Sequence, residues 1–283
     1  MTTATAIRTV NLPSGEPIRV LGQGTWGMAE DARRRGDEIA ALRLGVDLGL
    51  TLIDTAEMYA DGAAEGLVGE ALADRRDELF LVDKVLPSHA TLTGTITACE
   101  RSLRRLRTDR LDLYLLHWRG PVPLQETVEA FTLLVERGLI RHWGVSNFDL
   151  SDLAELTGVP GGTGVETDQV YYNLAHRGIE WDLLPQCQAS GLPVMAYSPF
   201  DHGRMVDHPA LQEVAARHDA TPPQVALAWV LLHDGVATIP KASTPAHVRD
   251  NRAAYDIQLT QSDLNLLDSA FPPPSGPQPL EVL

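Results

Sequence analysis

One order recurs along the chain: an amphipathic stretch, a glycine, then a short apolar run. Gly49 precedes the run 50–53, Gly138 precedes 139–143, Gly191 precedes 192–197, and Gly235 precedes the run that starts at Val236. Glycine just past a helix takes the left-handed conformation that ends it, with no Cβ to object. Helical period is plain where Ala64, Leu67, Val68, Ala71 and Leu72 form one apolar stripe. Ile96, Cys99, Leu103 and Leu106 form another. Apolar runs of strand length fall at 20–22, 50–53, 79–82, 111–116, 140–145, 165–170, 193–197 and 236–239. Eight strands alternating with helices predict an α/β fold, a (β/α)8 TIM barrel. An earlier pair of runs, 7–10 and 17–20 around Pro13-Ser14-Gly15, predicts an N-terminal β-hairpin that plugs the barrel's bottom. No break in composition marks a second domain, so 1–283 reads as a single barrel domain, a size such barrels reach. The proline-rich stretch 272–277 reads as an extended end.

In this architecture the active site lies at the C-terminal ends of the strands. Polar residues collect there: Asp54, Lys84, His117, Ser146 with Asn147, Gln169, Tyr197 with Ser198, and Lys241. Of the 23 basic residues only Lys84 and Lys241 are lysines, and the rest are arginines. An ammonium is compact and its pKa moves with its surroundings, whereas a guanidinium is planar and always charged. A chain that uses arginine for general charge, yet keeps lysine at two strand ends, points to chemistry there.

Asp54, Tyr59, Lys84 and His117 make a chemically coherent set. A free tyrosine has a pKa of about 10, too high for easy proton exchange near neutrality. A neighbouring ammonium is expected to lower it, a carboxylate to keep that ammonium charged, and a histidine to orient a carbonyl oxygen. The product is an acid able to protonate a carbonyl oxygen while a hydride reaches its carbon. Taken singly, each residue has a plainer reading: Asp54 a turn, Tyr59 a half-buried aromatic, His117 a core histidine, Lys84 a rim ion pair, Lys241 a strand cap. Ser146, Asn147 and Gln169 could merely satisfy loop backbone. Those readings leave unexplained why all of them share one face. Trp26 and Trp118 read as pocket walls or as barrel packing, Cys99 as core, and Arg33-Arg34-Arg35 as a solvated loop.

Charge and cysteine content narrow the partners. The net charge of −15 argues against a nucleic-acid or anionic-membrane surface. Two isolated cysteines suit a reducing cytoplasm and do not build a disulfide framework or a zinc site, so no metal is expected. Residues 1–6 lack the charged and apolar regions of a signal peptide, and no run is long enough to span a bilayer. A small molecule is the expected partner and a monomer the default state.

Gly22-Gln23-Gly24-Thr25-Trp26-Gly27 spells G-x-G-x-x-G after a short strand, which would suggest a Rossmann dinucleotide fold. The helix should then open at the third glycine. Residues 28–36 are charged and irregular instead, and a tryptophan stands where backbone should approach pyrophosphate.

The segments Thr51-Leu52-Ile53-Asp54-Thr55-Ala56-Glu57-Met58-Tyr59, Val82-Asp83-Lys84-Val85, Asp112-Leu113-Tyr114-Leu115-Leu116-His117-Trp118 and Gly144-Val145-Ser146-Asn147-Phe148 resemble, in order, the aldo-keto reductase superfamily. Gly22-Gln23-Gly24-Thr25-Trp26, Asp61-Gly62 and Ala237-Thr238-Ile239-Pro240-Lys241-Ala242 look most like its bacterial methylglyoxal reductase branch. The resemblance implies Tyr59 as proton donor, Lys84 as its modulator, Asp54 as the lysine's partner and His117 as the contact to the substrate carbonyl. It implies NADPH across the barrel mouth, with Gly24, Thr25, Trp26 and Asp54 among the residues beside it. Ser146, Asn147 and Gln169 should hold its carboxamide and Tyr197 stack on its nicotinamide. Ser198 should contact pyrophosphate, with Pro199, Phe200 and Arg204 in the same segment. Lys241, Ser243 and Asn251 should surround the adenosine end. Many members carry an arginine where this chain has His247, so discrimination against NADH is expected to be weaker.

The implied activity is reduction of small aldehydes and ketones to alcohols, methylglyoxal-like 2-oxoaldehydes and aromatic aldehydes included. The loop after His117 and the tail are short, which predicts an open pocket. A cofactor-binding regulatory subunit and a metal-dependent barrel hydrolase are the alternatives, the latter disfavoured because Lys84 would repel a cation.

Overall fold

The computed structural model describes residues 5–283, so most of the segment read for a signal peptide lies outside the described residues. A two-stranded hairpin, β1 (Thr9–Asn11) and β2 (Pro17–Arg19), comes first. Eight parallel strands follow: β3 (Gln23–Gly24), β4 (Leu52–Asp54), β5 (Phe80–Val85), β6 (Leu111–Leu116), β7 (Ile140–Ser146), β8 (Asp168–Tyr171), β9 (Val194–Tyr197) and β10 (Val236–Thr238). Each pairs with the next in sequence order. Parallel bridges from Leu21 to Thr238 and from Gly24 to Lys241 join first strand to last, closing the sheet into a barrel.

Helices cover the outside: α1 (Arg35–Asp47), α2 (Ala63–Leu72), α3 (Leu92–Leu106), α4 (Leu124–Glu136), α5 (Leu150–Gly158), α6 (Leu183–Ser190), α7 (Pro209–Arg217), α8 (Pro222–Leu231), α9 (Pro245–Ala254) and α10 (Gln261–Ala270). Their starts follow local chemistry. Thr91, Asp149, Thr221 and Thr260 cap helix N-termini with side-chain oxygens, and the last three form reciprocal capping boxes. The punctuating glycines all have positive φ, and Gly191 at 70° ends α6.

Strand alternation separates an inward-facing cluster from an outward-facing one. Leu113 and Leu115 of β6 point inward and join Leu52, Val82, Met195, Ala237 and Ile239. Leu12 and Ile18 of the hairpin complete that cluster, so the hairpin plugs the bottom as expected. Tyr114 points outward instead, edge-on to Phe131 of α4, which stacks on Trp143 of β7.

The strand boundaries differ from expectation in an instructive way. The run 79–82 extends through Val85, so Lys84 stands within the ladder, paired with Leu115. Parallel hydrogen bonds depend on backbone, and neighbouring strands carry them past the apolar run. The first strand lies at Gln23–Gly24, and the expected 20–22 lead into it and join the seam through the Leu21–Thr238 bridge. A Cβ at Gly24 would stand 2.5 Å from the Ile239 carbonyl oxygen, and one at Gly22 2.5 Å from that of Leu52. These glycines therefore serve strand approach, and α1 opens at Arg35 rather than Gly27, which removes the Rossmann reading. Nor are Arg33, Arg34 and Arg35 a loop: a 3-10 turn capped by Asp31 runs into α1.

The tail is extended, yet it packs back onto the barrel. Leu280 rests on the core and the Leu283 N–H donates to the Tyr197 hydroxyl at 3.4 Å. Among the described residues no helix is long and apolar enough to cross a membrane.

Candidate active site

Lys84 is wholly buried at the C-terminal end of β5. Its ammonium donates to Asp54 Oδ2 at 2.7 Å, the Thr55 carbonyl at 2.9 Å and the Tyr59 hydroxyl at 2.9 Å. Three donors meet three acceptors, which a five-donor guanidinium could not match in this space. Gln169 Nε2 donates to the other Asp54 oxygen at 2.8 Å. Burial would lower the Lys84 pKa, but the Asp54 charge and the Tyr59 hydroxyl override it and hold the ammonium above its ordinary value. Asp54 is pushed up by burial, with Lys84 and Gln169 opposing the shift.

The expectation for Tyr59 needs correction. Its pKa lies above the ordinary tyrosine value, because burial raises it by more than Lys84 lowers it, and Asp54 raises it further. The phenol therefore keeps its proton. Its oxygen already accepts from Lys84, so that proton is free to point elsewhere.

His117 follows β6, its ring 5.8 Å from that of Tyr59 and 5.0 Å from that of Trp118. Burial and the Lys84 charge push its pKa well below the ordinary value, leaving a neutral imidazole. Its Nδ1 is buried and has no partner among the described residues. Asn147, at φ 60°, donates to the His117 carbonyl and the Ser146 hydroxyl, both at 3.1 Å. It also accepts from the Tyr197 hydroxyl at 2.8 Å. Ser146 donates to the Gln169 carbonyl at 2.7 Å. Asp54, Tyr59, Lys84, His117, Ser146, Asn147, Gln169 and Tyr197 thus form one connected cluster. The Gln169 amide nitrogen, expected at a carboxamide, is committed to Asp54.

The remaining expected residues lie around the seam and rim. Thr25 is buried and its hydroxyl donates to the Asp54 carbonyl at 3.0 Å. Trp26 is exposed and meets His202 edge-on at 5.1 Å, so the loops after β3 and β9 touch. Ser198 has φ 51°, Pro199 is buried, and Phe200 packs on the core cluster of Leu21, Ala242 and Val248. Arg204 pairs with Asp201 at 2.6 Å. Lys241 is held below its ordinary pKa by burial and by the nearby Arg34 charge. Ser243 and Asn251 are buried, the Ser243 hydroxyl without a partner among the described residues, while His247 is exposed in the first turn of α9.

Sequence reasoning missed several residues that shape this site. Glu57 is buried and accepts from Leu86 N–H at 2.9 Å and from Arg101 at 3.2 Å, with His89 at 2.8 Å, fixing the loop that carries Tyr59. Tyr171 stacks on Tyr197 and donates to Asp201. Strand alternation could have found Tyr171, which stands two residues beyond Gln169 on the same face. Among the described residues no group of three or more His, Cys, Asp or Glu side chains is arranged to hold a metal ion.

A closed parallel barrel with a buried Lys–Asp pair, a tyrosine and a histidine at its mouth defines a class of carbonyl oxidoreductases, and the comparisons agree. The model of the aldo/keto reductase family matches residues 20–271, and this chain belongs to that family. It is 53% identical over 271 residues to methylglyoxal reductase YeaE of Escherichia coli, covering 94% of this chain and 95% of that protein. It is 32% identical to the glyoxal reductase of Bacillus subtilis, over 97% of both chains. Among solved structures, an aldo/keto reductase of Klebsiella pneumoniae in complex with NADP and acetate has a TM-score of 0.95. Its identity is 50%, with 98% of this chain and 100% of that one covered.

Proposed function

We propose that this protein reduces small aldehydes and ketones to alcohols with NADPH, methylglyoxal-like 2-oxoaldehydes foremost and aromatic aldehydes also. The observation that carries this reading is the Lys84 ammonium touching Asp54, the Thr55 carbonyl and the Tyr59 hydroxyl at once, with the His117 ring alongside.

The residues present suit a dinucleotide. Lys241 stands beside the seam within reach of the Arg34, Glu38 and Glu30 charges, and in a protein whose net charge is −15 such a local cation is what a phosphate needs. The buried Ser243 hydroxyl lacks a partner nearby, and the Tyr197 ring, edged by Asn147, offers a stacking surface. Lys241, Ser243, Asn251 and His247 would hold the adenosine end. Ser198 and Arg204 would face the pyrophosphate, and Asn147, Ser146 and Tyr197 the nicotinamide. Bound NADPH supplies the hydride.

The chain supplies the rest. Tyr59 gives its proton to the carbonyl oxygen. Lys84 stabilises the phenolate left behind, and Asp54 keeps Lys84 in place and charged. His117, a neutral imidazole, orients the carbonyl oxygen by hydrogen bonding. Exposed Trp26, Met58, Trp118, Val282 and Leu283 suit an apolar substrate rim. The test is NADPH oxidation, followed by nicotinamide absorbance, with methylglyoxal and aromatic aldehydes. Tyr59→Phe should abolish turnover while leaving cofactor binding intact. A Tyr59→Phe variant at full rate overturns the mechanism.

A further inference from the structure

His176 stands between two segments that border the barrel mouth. It lies in the turn after β8, where it and Asn173 exchange backbone hydrogen bonds, and its ring tilts over Tyr171 with centroids 4.4 Å apart. Nδ1 is 2.9 Å from Glu281 Oε2 in the C-terminal tail. Nε2 is 3.4 Å from Asp201 Oδ1 in the loop after β9. Asp201 is also gripped by the Tyr171 hydroxyl and the Arg204 guanidinium.

That loop needs holding. Ser198, Asp201 and His202 all have left-handed φ values, of 51°, 46° and 53°, which L-residues adopt at a cost. Contacts must keep it in this form. Asn173 anchors its start by donating to the Ser198 carbonyl at 3.0 Å, and His202 touches Trp26 across the seam. The tail is held by Leu280 on the core, by Glu281 on His176 and by the Leu283 N–H on the Tyr197 hydroxyl at 3.4 Å. Without the imidazole, Glu281 would lose its contact to the turn after β8, and Asp201 would keep only Tyr171 and Arg204.

We propose that His176 is a positioning residue that couples the cofactor-side loop 198–206 to the substrate-side tail 278–283, so that loosening either loosens the other. This rests on reading the groove beside that loop as the NADPH site. Each carboxylate gains from an imidazole that the other helps to fix, which is a coupling free energy carried by one shared side chain.

The experiment measures NADPH release by stopped-flow fluorescence, and KM for methylglyoxal, in full-length His176→Gln, Glu281→Gln and the double variant. Glu281→Gln changes only the tail, yet should speed NADPH release about five-fold, the low end of ordinary coupling between sites. His176→Gln should speed release at least as much and raise KM with kcat not reduced. The double variant should release no faster than His176→Gln alone. In the cofactor-free protein, Asp201→Asn should raise hydrogen exchange in the tail. The inference is overturned if Glu281→Gln releases NADPH at the parent rate, or if the two effects multiply as independent ones do. A parent protein that binds no NADPH overturns the functional reading along with it, and the exchange experiment then judges the loop–tail coupling alone.

Discussion

Gln169 holds the Asp54 oxygen that Lys84 leaves over: its amide donates to Oδ1 at 2.8 Å, while the ammonium takes Oδ2 at 2.7 Å. The glutamine belongs to the support of the ion pair as much as to any ligand. Gln169→Leu should therefore leave a buried carboxylate oxygen unpaired and cost about 1–3 kcal/mol of stability. Denaturant midpoints would show it. Unchanged stability with weakened NADPH binding would assign Gln169 to the cofactor alone.

Stability and chemistry can be separated at Lys84. Lys84→Met strips the cation from a buried carboxylate, which should cost about 3–5 kcal/mol. Turnover should fall about 100-fold or more, the ordinary worth of a tuned proton donor. Adding Asp54→Asn removes the orphaned charge, so the double variant should regain much of the stability and none of the rate. Thermal melts and steady-state kinetics on the same preparations distinguish the two effects. Recovery of rate along with stability would make Lys84 merely structural.

The pH profile follows from the two shifted groups beside Lys84. His117 is held well below the ordinary histidine value by burial and by Lys84. It stays neutral in the folded protein where an unfolded chain would already be protonated. The unfolded state then binds more protons, so this group's contribution falls as pH drops below about 6.5 and is whole above it. For catalysis, kcat/KM should be flat through that range. The alkaline limb reports loss of the Tyr59 proton, and burial places it above the free tyrosine value of about 10. A limb near 6.5 that disappears in His117→Asn would show that the imidazole titrates after all.

The barrel and its polar face were legible because both follow from local rules. Glycine caps and alternating periods mark the elements, and strand ends mark the site. Asp54, Tyr59, Lys84 and His117 could be named without coordinates for that reason. The balance of forces on Tyr59 was not legible, since a neighbouring ammonium can be read from the chain but the depth of burial cannot. Glu57 and His176 escaped notice because their partners, Arg101 and Glu281, are remote in sequence and no spacing rule connects them. The end of β5 lies beyond the run 79–82 because Asp83 and Lys84 break the apolar pattern, whereas the ladder continues through their pairing with Tyr114 and Leu115.

Gly24 offers a test that separates architecture from ligand binding. A Cβ there would stand 2.5 Å from the Ile239 carbonyl oxygen, and a backbone atom cannot swing aside as a side chain would. Gly24→Ala should force β3 away from the segment after β10, where Gly24 N–H donates to the Pro240 carbonyl at 3.2 Å. Overpacking of this kind costs about 1–3 kcal/mol. Gly66, within α2, has open space where a Cβ would stand, with no neighbour inside 4 Å, so Gly66→Ala should instead stabilise by about 0.5–1 kcal/mol through helix propensity. Melting temperatures of the two variants should move in opposite directions. If Gly24→Ala weakened NADPH binding while melting like the parent, the glycine would be serving the cofactor's approach and the seam would tolerate a methyl group.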